Sequence, residues 1–205
     1  MLIPFKQIVR KYGKPKGILH VGADSGQEAD AYAAEGVNDV IWIEARSAAY
    51  DKLVLNVIPR GHRAIQACVS DVTGQRVEFN ISSNDGQSSS FLKLGTHKQA
   101  HPEVEYIDVE IMETVRIEDF APQWGICNVY DFLNMDLQCA ELLALKGMGE
   151  MIRQFKWLYL EVNQKPLYEG CALVGEVDAY LKKFGFRGRE VKWTGSGWGD
   201  KIYTK

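Results

Sequence analysis

Short apolar runs alternate with helical stripes along most of the chain. Ile18-Leu19-His20-Val21-Gly22 reads as a strand and ends in a glycine-containing loop, Gly22-Ala23-Asp24-Ser25-Gly26. A helix is predicted over residues 26–35. Ser25 and Glu28 have capping-box spacing, Ala29, Tyr32 and Ala33 form a narrow apolar stripe, and Gly36 supplies a stop. Val40-Ile41-Trp42-Ile43 is apolar on both faces, as a parallel strand covered by helices should be, and ends in Glu44. Ser47 opens another helix, with Tyr50, Leu53, Val54 and Val57 at helical spacing, which breaks at Pro59-Arg60-Gly61. Residues 64–70 read as a third strand, followed by Asp71. This alternation predicts an α/β fold built on a doubly wound sheet.

Beyond Gly74 the pattern weakens. Residues 75–81 read as a strand, the polar stretch 84–90 as a loop, and 91–102 show no period. Residues 105–115 alternate as an edge or antiparallel strand, and 117–124 read as a short helical segment. Order returns at 130–135, a strand ending in Asp136, and in a helix carrying Leu145, Met148, Ile152 and Phe155. Trp157-Leu158-Tyr159-Leu160 is the next strand, ending in Glu161, Val162 and Asn163. Val174, Val177, Leu181 and Phe184 mark a last helix, with Lys182, Lys183 and Gly185 at its C-terminal end. Two strands close the chain, 187–193 and 201–204, around a glycine-rich turn. With a short helix over 5–12, inside an N-terminal extension of residues 1–17, the pattern describes one domain over 1–205.

Composition narrows the classes. With 46% hydrophobic and 25% charged residues, the 205-residue chain is globular rather than disordered. Lys+Arg number 24 against 27 Asp+Glu, a net charge of -3, so no nucleic-acid partner is expected. No apolar run exceeds four residues, against roughly 20 for a membrane span. The start, Met1-Leu2-Ile3-Pro4-Phe5-Lys6, lacks the apolar core of a signal peptide. The expected location is therefore cytoplasmic, without a membrane span. Cys68, Cys127, Cys139 and Cys171 are scattered, form no CxxC pair, and are expected as reduced thiols.

Candidate chemistry gathers at strand ends, where open α/β sheets form their ligand crevice. Gly22 and Gly26 permit close approach of backbone to a ligand. Asp24 opposes a pyrophosphate there and favours a cofactor with an amino group or ribose hydroxyls; G-x-x-x-G is also not the dinucleotide fingerprint. Glu44 ends the following strand, where a carboxylate can accept both ribose hydroxyls of an adenosine. Asp71 and Asp136 end two further strands, so three acids are expected to converge on one rim. Glu161 and Asn163 face the same rim and can position a hydroxyl or ammonium group, or satisfy backbone donors of a neighbouring loop. His20 reads as a hydrogen-bonded core or rim residue. His97 and His101 are four apart; His97 is a candidate general base. A metal pair there would need carboxylates such as Glu103, Asp136 or Glu141, which spacing does not place, and no metal ligand is assigned. Tyr168, Trp193 and Trp198 suit a pocket wall, core or interface.

These segments, in this order, resemble the FkbM family of S-adenosylmethionine-dependent methyltransferases from about residue 18 to 203. The resemblance is carried by His20 to Glu28, by Glu44, by Ser70-Asp71, by Gln87-Ser88-Ser89-Ser90, and by residues 132–141 with Leu145-Lys146-Gly147. The ending Gly197-Trp198-Gly199-Asp200-Lys201-Ile202-Tyr203 also fits, whereas the family usually has glycine where this chain has Cys139. The resemblance implies a Rossmann-like class I methyltransferase fold, with a mostly parallel seven-stranded sheet and one antiparallel strand near the C-terminus. It implies S-adenosyl-L-methionine as cofactor, with S-adenosyl-L-homocysteine as product, and a small-molecule hydroxyl acceptor. Gly22, Ala23, Asp24, Ser25 and Gly26, followed by Glu28, would hold its methionine part. Glu44, with Ala45 beside it, would bind the ribose, and Ser70 and Asp71 the adenine edge. Asp136 would lie near the sulfonium, and Ser88 and Ser89 would border the site, on a loop (84–104) available to close over it. Asp136, His97 and Glu161 are the candidates for removing the acceptor's proton. A nicotinamide oxidoreductase and a non-catalytic nucleoside-binding protein are the alternatives. A second copy of the chain in a homo-oligomer is one way of finishing the pocket.

Overall fold

The computed structural model describes residues 1–205 apart from the side chain of Ala100. The elements run α1 (Phe5–Tyr12), β1 (Gly17–Val21), α2 (Ala29–Ala34), β2 (Val40–Glu44), α3 (Ser47–Val57), β3 (Arg63–Gln66), β4 (Cys68–Val69) and β5 (Arg76–Ser82). They continue with α4 (His97–Ala100), β6 (Tyr106–Val115), α5 (Ile117–Phe120), β7 (Tyr130–Met135), α6 (Glu141–Gly147), β8 (Trp157–Asn163), α7 (Val174–Lys182), β9 (Arg187–Trp193) and β10 (Trp198–Thr204).

Seven strands form one sheet in the order β3-β2-β1-β7-β8-β10-β9. β10 runs antiparallel to both its neighbours, and the other adjacent pairs are parallel. Alternation within each strand splits the core in two. Leu19, Val21, Ile41, Ile43, Leu133, Met135, Leu158 and Leu160 pack under α6 and α7. Ile18, Val40, Trp42, Phe132 and Tyr159 pack under α1, α2 and α3. Both faces of β1, β2 and β7 are buried, as parallel strands between helical layers require. No helix among the described residues is long and apolar enough to cross a membrane.

A second sheet, β4-β6-β5, stands beside the first. It corrects the single strand expected over 64–70. The chain leaves the main sheet after Gln66, and Cys68 and Val69 pair instead with Thr114 and Val115 of β6. The helix expected through Phe155 is also divided. α6 stops at Gly147, where a Cβ would overlap the Ser70 carbonyl, and Gly149 takes a φ of +52° before a 3-10 turn over Gly149–Gln154. Leu145, Met148, Ile152 and Phe155 are nonetheless all fully buried. α2 begins at Ala29 rather than 26, with no side-chain cap, so Ser25 and Glu28 form no capping box. The reading of four reduced thiols is corrected too: Cys139 and Cys171 form a disulfide, while Cys68 and Cys127 are free.

Candidate functional site

One cavity of about 750 Å³ opens at the C-terminal ends of β1, β2 and β7. This is the edge where the topology places the switch between windings: β2 lies on one side of β1 and β7 on the other. Gly22, with φ +77°, turns the chain out of β1 so closely over β7 that a Cβ there would overlap the Asp136 carbonyl. Gly26 serves another purpose. Its missing side chain admits α3, whose Val57 and Leu53 carbons lie 2.8 and 2.9 Å from where a Cβ would stand.

Glu44 is buried in the cavity wall. Its Oε2 accepts the Asp24 N–H at 2.8 Å and its Oε1 the Arg46 N–H at 2.9 Å. Burial raises its pKa, and these two backbone bonds and the Arg46 charge oppose that rise. Asp24 turns with φ +45° and pairs with the Arg46 guanidinium at 2.9 Å. The acid that argues against a pyrophosphate is thus held by a buried arginine, which sequence reading missed because the pairing depends on this turn. Arg46 reaches the roof as well: Gly86 leaves the space its guanidinium fills.

β7 and β8 supply the other wall. Asp136 opens to the cleft yet is ringed by protein; burial, with the Asp200 charge adding to it, raises its pKa to about 6 against the Gln138 hydrogen bond. Glu161 and Glu141 are buried and also raised, first by burial and then by the Asp136 charge, Glu141 to about 8. Gln138 Nε2 bridges Asp136 Oδ1 at 2.8 Å and Glu161 Oε2 at 3.3 Å. Tyr168 Oη lies 3.0 Å from both Gln138 Oε1 and the Ser88 carbonyl. Beneath the cavity, Asn134 Nδ2 donates to Tyr32 Oη at 2.7 Å, and that hydroxyl meets His20 Nδ1 at 3.1 Å. Burial pushes His20 down to about 4, so it is neutral.

The roof comes from residues between β5 and β6. Ser88 and Ser89 line the cavity, but their side chains hold the turn itself: Asn84 Nδ2 donates to Ser88 Oγ at 2.9 Å and the Ser82 N–H to Ser89 Oγ at 3.0 Å. Ser90 Oγ donates to the Gln138 carbonyl at 3.2 Å. His97 is buried, lines the cavity and leaves Nδ1 without a partner; burial, then the neighbouring His101, lowers its pKa. Gln138 and Cys139 take φ of +51° and +78°, a region that favours glycine, and the disulfide ties this loop to the segment carrying Tyr168.

Of the residues expected at the site, Gly22, Ala23, Asp24, Glu28, Glu44, Ala45, Ser88, Ser89, His97, Asp136 and Glu161 line this one cavity. Ser25, Gly26, Ser70 and Asp71 do not. Ser25 and Gly26 turn toward α3, where Asn56 Nδ2 donates to both their carbonyls. Ser70 and Asp71 lie past the crossing into the second sheet, and Ala67, Cys68 and Val69 line the wall instead.

Comparison with known proteins gives the family and the fold. The family described as methyltransferase FkbM domain matches residues 20–187. The 2-O-methyltransferase NoeI of Sinorhizobium fredii is 26% identical over 175 residues, 80% of this chain and 71% of that protein. Among solved structures, a SAM-dependent methyltransferase from Aquifex aeolicus superposes with a TM-score of 0.52 at 16% identity, over 98% of this chain and 88% of the other. Magnesium protoporphyrin IX methyltransferase from Synechocystis, solved with bound SAM, gives 0.54 at 10% identity, over 98% and 75%. The fold is that of these class I methyltransferases.

Proposed function

Because the chain belongs to the FkbM methyltransferase family, we propose that it transfers the methyl group of S-adenosyl-L-methionine to a hydroxyl oxygen of a small molecule. One observation carries this reading: the Gly22 turn, Glu44 and Asp136 share a single cavity at the switch point of the sheet. The relative active at a 2-O position favours oxygen as acceptor, on a sugar, polyketide or other polyol-like compound.

The residues fit the cofactor. Glu44 spends two of roughly four lone-pair positions on backbone N–H groups, which leaves acceptors for two ribose hydroxyls. The backbone at Gly22, Ala23 and Asp24 would border the methionine end, and Ala67 to Val69 with Phe79, which line the same cavity, the adenine end. When bound, the cofactor supplies a methyl already activated by its sulfonium, so the protein's task is alignment and proton removal. For the acceptor hydroxyl to take that methyl its proton must leave, and a carboxylate beside it is the group to receive it. Asp136 is suited to receive it, since its raised pKa lies nearer neutral pH than an ordinary aspartate's. Glu161 stands within reach of the same Gln138 amide and shares the role of holding that proton. His97 offers an unpartnered Nδ1 to orient the acceptor. The test is transfer of radiolabel from methyl-labelled cofactor to a panel of saccharides and polyols. Label on a hydroxyl, abolished in Asp136→Asn, supports the reading. No label on any acceptor, from protein that also fails to bind S-adenosylhomocysteine, overturns it.

A further inference from the structure

Three carboxylates stand together on the β7–β8 side of the cavity without a cation. One oxygen each from Asp136, Glu141 and Glu161 lies within 4.8 Å of the others. None of the ion pairs among the described residues includes any of the three. Glu141 uses Oε1 to accept the Leu137 N–H at 2.6 Å, and the Gln138 amide fills the gap between the other two.

A second observation points into the same spot. Asn163 follows Glu161 by two residues on β8, so their side chains share a face. It has no exposed surface, and neither Oδ1 nor Nδ2 has a hydrogen-bond partner. Its amide nevertheless lies close enough to Glu161 to favour the ionised carboxylate. A fully buried amide next to Glu161, with no other partner, is a polar group that an oxygen-rich site would use. Three oxygens no more than 4.8 Å apart can reach one ion. Oxygens on opposite sides of Mg²⁺ are about 4.2 Å apart, and around Ca²⁺ about 4.8 Å.

We propose that Asp136, Glu141 and Glu161, backed by Asn163, bind one hard divalent cation of the Mg²⁺, Mn²⁺ or Ca²⁺ class. The all-oxygen donor set selects these over zinc or copper. The site stands without the methyl-transfer reading; only its use rests on that reading, under which the ion, held through one oxygen of each carboxylate, would lower the acceptor hydroxyl's pKa while the free Asp136 oxygen takes its proton.

The test is titration of the full, EDTA-stripped chain with Mn²⁺, followed by electron paramagnetic resonance, beside calorimetry with S-adenosylhomocysteine. The expected result is one Mn²⁺ per chain, displaced by excess Mg²⁺ or Ca²⁺, retained when S-adenosylhomocysteine is bound, and weakened at least tenfold in Glu161→Gln and in Glu141→Gln. Protein that binds S-adenosylhomocysteine but no Mn²⁺ overturns the cation site and leaves methyl transfer standing. Mn²⁺ expelled by S-adenosylhomocysteine, or bound equally well by both variants, also overturns it. Mn²⁺ bound as expected without any S-adenosylhomocysteine binding upholds the ion site and removes the cofactor reading.

Discussion

Reduction of the Cys139–Cys171 bridge should destabilise the protein and loosen the wall that carries Gln138 and Tyr168. The bridge spans 32 residues. Loop-closure entropy for that length is about 12 cal/mol/K, or about 3.7 kcal/mol at 25 °C. For 205 residues, an unfolding entropy near 2.1 cal/mol/K per residue makes this a fall in Tm of about 9 °C. Thermal unfolding by circular dichroism, with and without reductant, measures the shift. A Cys139→Ala, Cys171→Ala double variant should melt with the reduced protein and ignore reductant. Thiol titration in denaturant should find only Cys68 and Cys127 before reduction. Four reactive thiols in unreduced protein, or a Tm that reductant leaves unchanged, would refute the reasoning.

Two further perturbations probe the turn and the floor of the cavity. Gly22→Ala combines a left-handed φ with overlap on the Asp136 carbonyl and should cost about 2–5 kcal/mol by urea unfolding. Gly74→Ala, at φ +81° with open space around it, should cost only about 1–2 kcal/mol; equal costs would deny the close β1–β7 crossing. The second concerns pH. His20 is depressed to about 4 in the folded state, so the unfolded chain protonates first, near 6.5. Its contribution is complete above pH 6.5 and is lost as pH falls through about 4, by up to about 3 kcal/mol. His20→Asn should flatten that part of the stability profile, and an unchanged acid limb would refute the assignment.

The sequence shows the parallel strands clearly because burial on both faces leaves apolar runs at 40–43 and 157–160, and one interrupted only by His20 at 18–21, with few other uses. Strand ends follow from them, which is why Glu44 and Asp136 could be placed on one rim. The pattern fails where identity depends on partner rather than period. Residues 64–70 are apolar enough for one strand, but Cys68 and Val69 find Thr114 and Val115, forty-odd positions away, and this crossing carries Ser70 and Asp71 off the cavity. The stripe at Leu145, Met148, Ile152 and Phe155 correctly marks a buried face, while Gly147 and Gly149 divide the helix beneath it. Arg46, Gln138 and the disulfide were illegible for one shared reason: each depends on a residue with positive φ, Asp24, Gln138 or Cys139, and such turns leave no mark in a chain without glycine at those places. Asn163 was visible at the rim, but only burial reveals that its amide lacks partners.

The claim beneath all of this is that Glu44 faces a bound adenosine. Calorimetry of the native protein with S-adenosylhomocysteine, repeated on Glu44→Gln, tests it most directly. The account predicts one site per chain, weakened about tenfold to a hundredfold in the variant by the loss of charge-assisted hydrogen bonds. Folded native protein that releases no binding heat across temperatures, or a Glu44→Gln variant that binds as tightly as the native chain, would contradict it.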